Sequence, residues 1–115
     1  MNDTMQISKI EIIRINGYDL QTSTYQWDVL YTEENNEHFV EEFLLLENKK
    51  TDSHYPLYFQ YNAIFIHIIY INGDEEFISQ DVQLQKRKNG TNVEQHYQFK
   101  EEEYNAFLNK HISDN

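Results

Sequence analysis

Residues 66–73 read Ile-His-Ile-Ile-Tyr-Ile-Asn-Gly, and residues 10–17 read Ile-Glu-Ile-Ile-Arg-Ile-Asn-Gly, so the two stretches agree at six of eight positions. β-Branched residues pack well on a pleated sheet, and Asn-Gly is the strongest short signal for a hairpin turn. Each stretch is therefore predicted to be a strand that ends in a turn. A duplicated half-domain would also explain the match. The flanking residues differ, however. The simpler interpretation is therefore that both stretches are Ile-rich strands ending in a turn, and that the same structural requirement gave them similar sequences.

Alternating apolar and polar residues predict further strands around these two. The predicted strands cover residues 7–16, 25–32, 58–71, 77–85 and 93–99, with a third Asn-Gly turn at residues 89–90 and a loop at residues 48–56. Tyr25, Trp27 and Tyr31 recur at strand spacing. They could form an aromatic binding stripe, but core positions are the simpler prediction.

Residues 38–47, His-Phe-Val-Glu-Glu-Phe-Leu-Leu-Leu-Glu, fit two structures. Phe39, Val40, Phe43 and Leu44 could form the apolar face of a helix. The run could also be the return strand of a hairpin, because only a short polar turn at residues 32–37 separates it from the preceding strand. We predict a strand.

The C-terminal segment changes to helical spacing. Tyr104, Phe107, Leu108 and Ile112 predict a short amphipathic helix over residues 101–112, and the three glutamates at 101–103 suit the positive end of its dipole. The predicted fold class is therefore α+β, with an antiparallel sheet of five to six strands, hairpins at the Asn-Gly turns and one C-terminal amphipathic helix.

Length and composition exclude several classes of protein. At 115 residues we expect a single domain over residues 1–115, with a disordered tail at residues 1–6. A net charge of -11 argues against direct nucleic-acid binding and against a polybasic membrane surface, and the lack of cysteine excludes disulfides and thiolate metal sites. The first residues lack the basic start and apolar core of a signal peptide, so we expect a cytoplasmic protein.

No catalytic motif is present. The sequence contains no Gly-rich phosphate loop, no HExxH, no EF-hand loop and no GxSxG, and its five histidines have no metal-ligand spacing. We therefore expect no catalytic residue, no cofactor and no metal site, and we expect that the protein is not an enzyme. His67 interrupts an apolar strand face, where a hydrogen-bonded core histidine is the usual explanation. A small enzyme that uses His67 and a carboxylate is the remaining catalytic hypothesis.

Charge placement is the one uneven feature. Residues 15–48 and 51–85 contain no Lys or Arg, and acidic residues gather at two predicted turns. Asp74, Glu75 and Glu76 follow directly on the Asn72-Gly73 turn, so we expect them to be exposed at a hairpin tip. Such acidic turns on a rigid sheet could imitate nucleic-acid phosphates or dock into a basic groove. The candidate partner-binding residues are Glu33, Glu34, Glu37, Glu41, Glu42, Asp74, Glu75 and Glu76. A solvated acidic surface that maintains solubility is the simpler alternative.

Two functional hypotheses follow. The first is an antagonist that occupies a basic, nucleic-acid-binding site on a larger protein, by analogy of size and charge with phage inhibitors of restriction or CRISPR nucleases and with immunity proteins. Residue types with AT-rich codons (Phe, Tyr, Met, Ile, Asn, Lys) make up 49 residues, as expected for a gene of a mobile element. The second is a self-associating structural protein of a phage or bacterium, which would form a homo-oligomer through an exposed strand edge and its aromatic residues.

Overall fold

A computed structural model describes residues 6–50 and 59–113, and these residues form a seven-stranded antiparallel sheet with two helices. The elements in chain order are β1 (Ile7–Asp19), β2 (Thr24–Thr32), α1 (Asn36–Leu44), β3 (Asn48–Lys50), β4 (Ile64–Tyr70), β5 (Glu75–Ile78), β6 (Val82–Lys86), β7 (Asn92–Phe99) and α2 (Glu101–Ser113). The strand order is β2-β1-β4-β5-β6-β7-β3. The α+β class and the C-terminal helix are confirmed, but the sheet has more strands than predicted. The predicted disordered tail lies outside the described residues except for Gln6.

The two similar stretches are adjacent strands inside the sheet. β1 and β4 pair antiparallel, with Ile10 opposite Ile68 and Ile12 opposite Ile66. Each strand has neighbours on both sides, and each sends apolar side chains into both faces of the sheet. This shared position explains why the same Ile-rich pattern occurs twice.

The predicted turn at Asn16-Gly17 is wrong. β1 continues through both residues to Asp19, and its register against β2 shifts between Ile15 and Gly17, so Asn16 is the extra residue of a β-bulge. The Asn16 side-chain amide donates a hydrogen bond to Asp28 over 2.8 Å. The chain reverses after Asp19 instead, because the Asp19 carboxylate accepts hydrogen bonds from the backbone N–H groups of Gln21 and Thr22.

The other two Asn-Gly pairs do lie in turns. Gly73 has a φ of +96° and Gly90 a φ of +91°, values that glycine adopts without steric cost. A further turn was not predicted: residues 77–85 are not one strand but the hairpin of β5 and β6, closed by a hydrogen bond from Ser79 N–H to Val82 C=O of 2.9 Å. This split, together with β3 in the region predicted as a loop, raises the strand count to seven. The rest of that predicted loop lies outside the described residues.

Residues 38–47 were predicted to be a strand, and this is wrong, because residues 36–44 form helix α1. The Asn35 side chain caps the helix by accepting a hydrogen bond of 3.1 Å from His38 N–H. Phe39, Val40 and Phe43 then lie on one buried face. That face packs against α2, with the Phe39 and Phe107 ring centroids 5.1 Å apart. Burial of each such ring contributes about 1.5–3 kcal/mol, which favours the helix over an additional edge strand.

Apolar residues are buried on both faces of the sheet. The helix-covered face contains residues of both helices together with Ile7, Ile10, Ile12, Ile66, Ile68, Tyr70, Ile78 and Phe99. The opposite face buries Ile13, Ile15, Phe65, Phe77 and Leu84, with Trp27, Phe59 and Ala63 packed against them. The core prediction for the aromatic stripe is met in part: Tyr31 packs on the first face and Trp27 on the second, but Tyr25 is 42 % exposed.

Candidate functional site

The eight predicted partner-binding acids divide into an exposed group and a group with internal partners. Glu34, just before the Asn35 cap of α1, is exposed, as are Glu37 and Glu41 on α1, and these three acids form no ion pair with a described residue. Glu37 and Glu41 are four residues apart, so they project from the same side of the helix, opposite its buried face. We call these three residues the α1 acidic face.

Glu33 and Glu42 flank this surface but are engaged inside the protein. Glu33 accepts a hydrogen bond of 2.7 Å from the Tyr31 hydroxyl and one of 2.9 Å from Asn35 N–H. His111 of α2 lies between the two acids, with Nδ1 3.7 Å from Glu33 and Nε2 3.2 Å from Glu42. These contacts tie α1 and the end of β2 to α2.

Glu42 has two further partners. Its carboxylate lies 2.7 Å from His38 Nε2 and 3.1 Å from Lys110 Nζ. Burial acts to raise the pKa of Glu42, but hydrogen bonds and charges from Lys110 and His111 outweigh it and lower that pKa. Glu42 is therefore anionic and already compensated, so it adds little to the charge that a partner would meet.

The acids after the Asn72-Gly73 turn are not presented as an exposed tip. Asp74 accepts a hydrogen bond of 2.9 Å from Lys88 N–H of the neighbouring turn. Glu76 is only 1 % exposed, so its predicted exposure is wrong. β5 begins at Glu75, and its side chains alternate between the two faces of the sheet, which sends Glu76 beneath the helices and Glu75 to the opposite side.

Two hydrogen bonds satisfy the buried Glu76 carboxylate. They come from the Tyr70 hydroxyl and the Gln83 side-chain amide. The Glu76 charge also acts on Tyr97: burial and then this charge raise the pKa of the Tyr97 phenol well above its usual value. Glu76 therefore has a structural role in the helix-covered core.

A second polar cluster lies on the helix-free face, centred on His67. Its Nδ1 is 2.9 Å from Glu11 and its Nε2 is 2.8 Å from Glu75. The ring is 2 % exposed and stacks on Phe77, with centroids 4.5 Å apart and an interplanar angle of 14°. The second Glu11 oxygen faces the Lys9 ammonium at 3.3 Å. We call Glu11, His67 and Glu75 the carboxylate–histidine cluster.

The carboxylate–histidine cluster places ionisable groups inside the sheet and fixes the position of the Glu75 carboxylate. Both nitrogens of His67 face acids, and of the three residues only Glu75 reaches the surface, with 35 % of its side chain exposed. The hydrogen bond from His67 lowers the pKa of Glu75; burial opposes this shift, and the charges of His67 and Lys86 reinforce it. The buried His67 thus holds the Glu75 carboxylate by a hydrogen bond, and Glu75 is the group that a ligand can contact.

The prediction that His67 is a hydrogen-bonded histidine within the sheet agrees with this geometry, but its partners were missed. A signal was available: Glu11 and His67 occupy the same place in the two similar Ile-rich stretches. They also face each other in the register of β1 and β4. A polar residue that interrupts each of two similar strands at one position is the pattern expected for a cross-strand pair.

Neither described helix has the length and apolar character needed to cross a lipid bilayer. Among residues 6–50 and 59–113, no group of three or more histidines and acids has the arrangement of a metal site. The chain matches no protein-family model, and comparison with curated proteins and with solved structures finds no significant similarity. The functional conclusion therefore depends on the residues themselves.

Proposed function

We propose that this chain is an acidic protein-interaction domain that occupies a basic, nucleic-acid-binding site on a larger partner through the α1 acidic face. The observation that carries the proposal is the contrast between the acids. Five of the eight candidates have internal partners, whereas Glu34, Glu37 and Glu41 have none among the described residues. The helix dipole accounts for Glu37 in the first turn, but not for the other two.

The negative charge of the α1 acidic face would act mainly on the rate at which the chain associates with its partner. Exposed carboxylates raise the rate of encounter with a basic groove, and the effect weakens as salt screens it over a Debye length of about 8 Å at physiological ionic strength. Glu37 and Glu41 are presented to solvent by a helix whose other side is buried against α2. In this proposal the partner is a nuclease, a toxin or another nucleic-acid-binding protein, and the chain acts as an antagonist encoded by a mobile element.

Affinity capture from a host lysate tests the proposal with two variants of equal charge. E34Q/E37Q/E41Q removes the α1 acidic face, and E94Q/E101Q/E102Q removes three exposed acids elsewhere. We expect the wild type and the control to retain a basic protein at about 0.05 M salt and to release it at about 0.5 M. The first variant should fail to retain it at either concentration. If both variants retain it equally, the α1 acidic face is not the binding surface.

Self-association is the second candidate function, and exposed apolar side chains of β2 favour it. Among the described strands β2 is the outer one, and its Tyr25 and Val29 are 42 % and 48 % exposed. A second copy could bury these side chains. An oligomer that persists at high salt in light scattering would support this function over the salt-sensitive interaction domain.

A further inference from the structure

The helix-free face contains a pocket of about 390 Å³, a volume in the range of small-ligand sites. It lies on the side of the sheet opposite to α1 and is independent of the proposed acidic interface. The residues that determine its chemistry are Tyr25, Trp27, Phe59, Phe77, Glu75 and Lys86.

Four aromatic rings line this pocket at different angles. Phe59 stacks on Tyr25 with centroids 4.8 Å apart, and it meets Phe77 edge-on at 5.2 Å and 85°. Trp27 lies 6.0 Å from Phe77 at 70°. All four rings belong to the pocket lining, and the electron-rich faces of aromatic rings attract cations.

Glu75 supplies a fixed negative charge at the same place. One of its oxygens is held by His67, which is itself held by Glu11. The other oxygen makes no hydrogen bond with a described residue. Lys86 is opposite Glu75 in the register of β5 and β6, but its ammonium forms no ion pair with Glu75 or with another described acid. The Glu75 carboxylate therefore borders the pocket with one oxygen held by His67 and the other oxygen without a hydrogen-bond partner among the described residues.

We propose that this pocket binds a small organic cation of the quaternary ammonium class, with the methyl groups against the rings and the positive charge beside Glu75. A neutral ligand of the same shape would desolvate the carboxylate without compensating it, and an anion would be repelled by it. The pocket volume suits a free small molecule. The carboxylate–histidine cluster thereby gains a role, because it holds the Glu75 carboxylate in position.

Titration of the whole chain with choline and with its uncharged isostere 3,3-dimethylbutan-1-ol tests this proposal. Trp27 is the only tryptophan of the chain and lines the pocket, so its fluorescence reports occupancy. We expect a saturable change with choline and about tenfold weaker binding of the isostere, as cation–π and carboxylate contacts both require the charge. Equal affinities, or no saturable change with choline, would overturn the proposal.

Three variants locate the charge that matters. E75Q removes the carboxylate and should lower choline affinity about tenfold, to the level of the isostere. E94Q changes the net charge equally but lies outside the pocket lining, so it should bind choline as the wild type does. K86Q removes a competing cation from the rim and should bind choline more tightly. Because Lys86 is exposed, K86Q also tests the proposal if E75Q does not fold, and weaker binding by K86Q would contradict it.

Discussion

Replacement of His67 by alanine should destabilise the protein more than any exposed substitution. The ring is buried between two carboxylates, at 2.9 Å from Glu11 and 2.8 Å from Glu75. H67A removes both contacts and leaves Glu11, whose side chain is only 5 % exposed, with Lys9 as its sole ionic neighbour among the described residues. The variant also loses the stacked contact with Phe77.

The size of the effect follows from these losses. Each hydrogen bond to a charged group is worth about 1.5–3 kcal/mol, and the aromatic contact adds about 0.5–1.5 kcal/mol. These contributions are not additive, and removal of one partner from a buried ion pair typically costs about 3–5 kcal/mol. We expect a loss of that size in the free energy of unfolding. At about 4 °C per kcal/mol, the Tm should fall by about 12–20 °C.

Urea unfolding followed by far-ultraviolet circular dichroism measures this loss. Trp27 fluorescence is unsuitable for H67A, because the indole contacts the imidazole and would respond without unfolding. H96A is the matched control: His96 is less buried and lies 3.6 Å from Glu94, so we expect a loss below about 1 kcal/mol. Adding E11Q to H67A should recover stability, because it removes the buried Glu11 charge that has lost its His67 partner. A loss below about 1 kcal/mol in H67A, or no recovery, would refute the proposed contribution of the carboxylate–histidine cluster to stability.

Two further predictions concern acid stability and the start of α1. The pKa of Glu75 is lowered in the folded state, so its contribution is complete above the unfolded value of 4.5 and is lost as pH falls through the folded value. E75Q should therefore flatten the acid side of a plot of urea midpoint against pH, and an unchanged slope would contradict this reasoning. N35A removes the cap that accepts His38 N–H and should lower the unfolding free energy by about 0.5–2 kcal/mol. N105A, at an exposed position within α2, is its control in the same urea titration, and equal losses would show that the cap contributes nothing.

Local sequence patterns were sufficient to predict those elements that depend only on residues close together in the chain. The strands at the Ile-rich stretches and the C-terminal helix follow from side-chain periodicity, which depends only on neighbouring residues. Secondary-structure predictions failed where the same residues had a similar propensity for two different local structures. Residues 36–44 are helical because Phe39 and Phe43 reach α2, from which they are separated by more than fifty residues of chain. Asn16-Gly17 is a bulge because β2 pairs beyond it.

The candidate sites also have features that local sequence determines and features that long-range packing determines. The sequence by itself determined the excess of acid, its concentration in segments without Lys or Arg, and the polar interruption at His67. Only the tertiary structure decided which acids face solvent. Glu75 and Glu76 are adjacent in sequence, yet one borders an aromatic pocket and the other is buried beneath the helices, because consecutive side chains of a strand point to opposite faces and only long-range packing decides what covers each face.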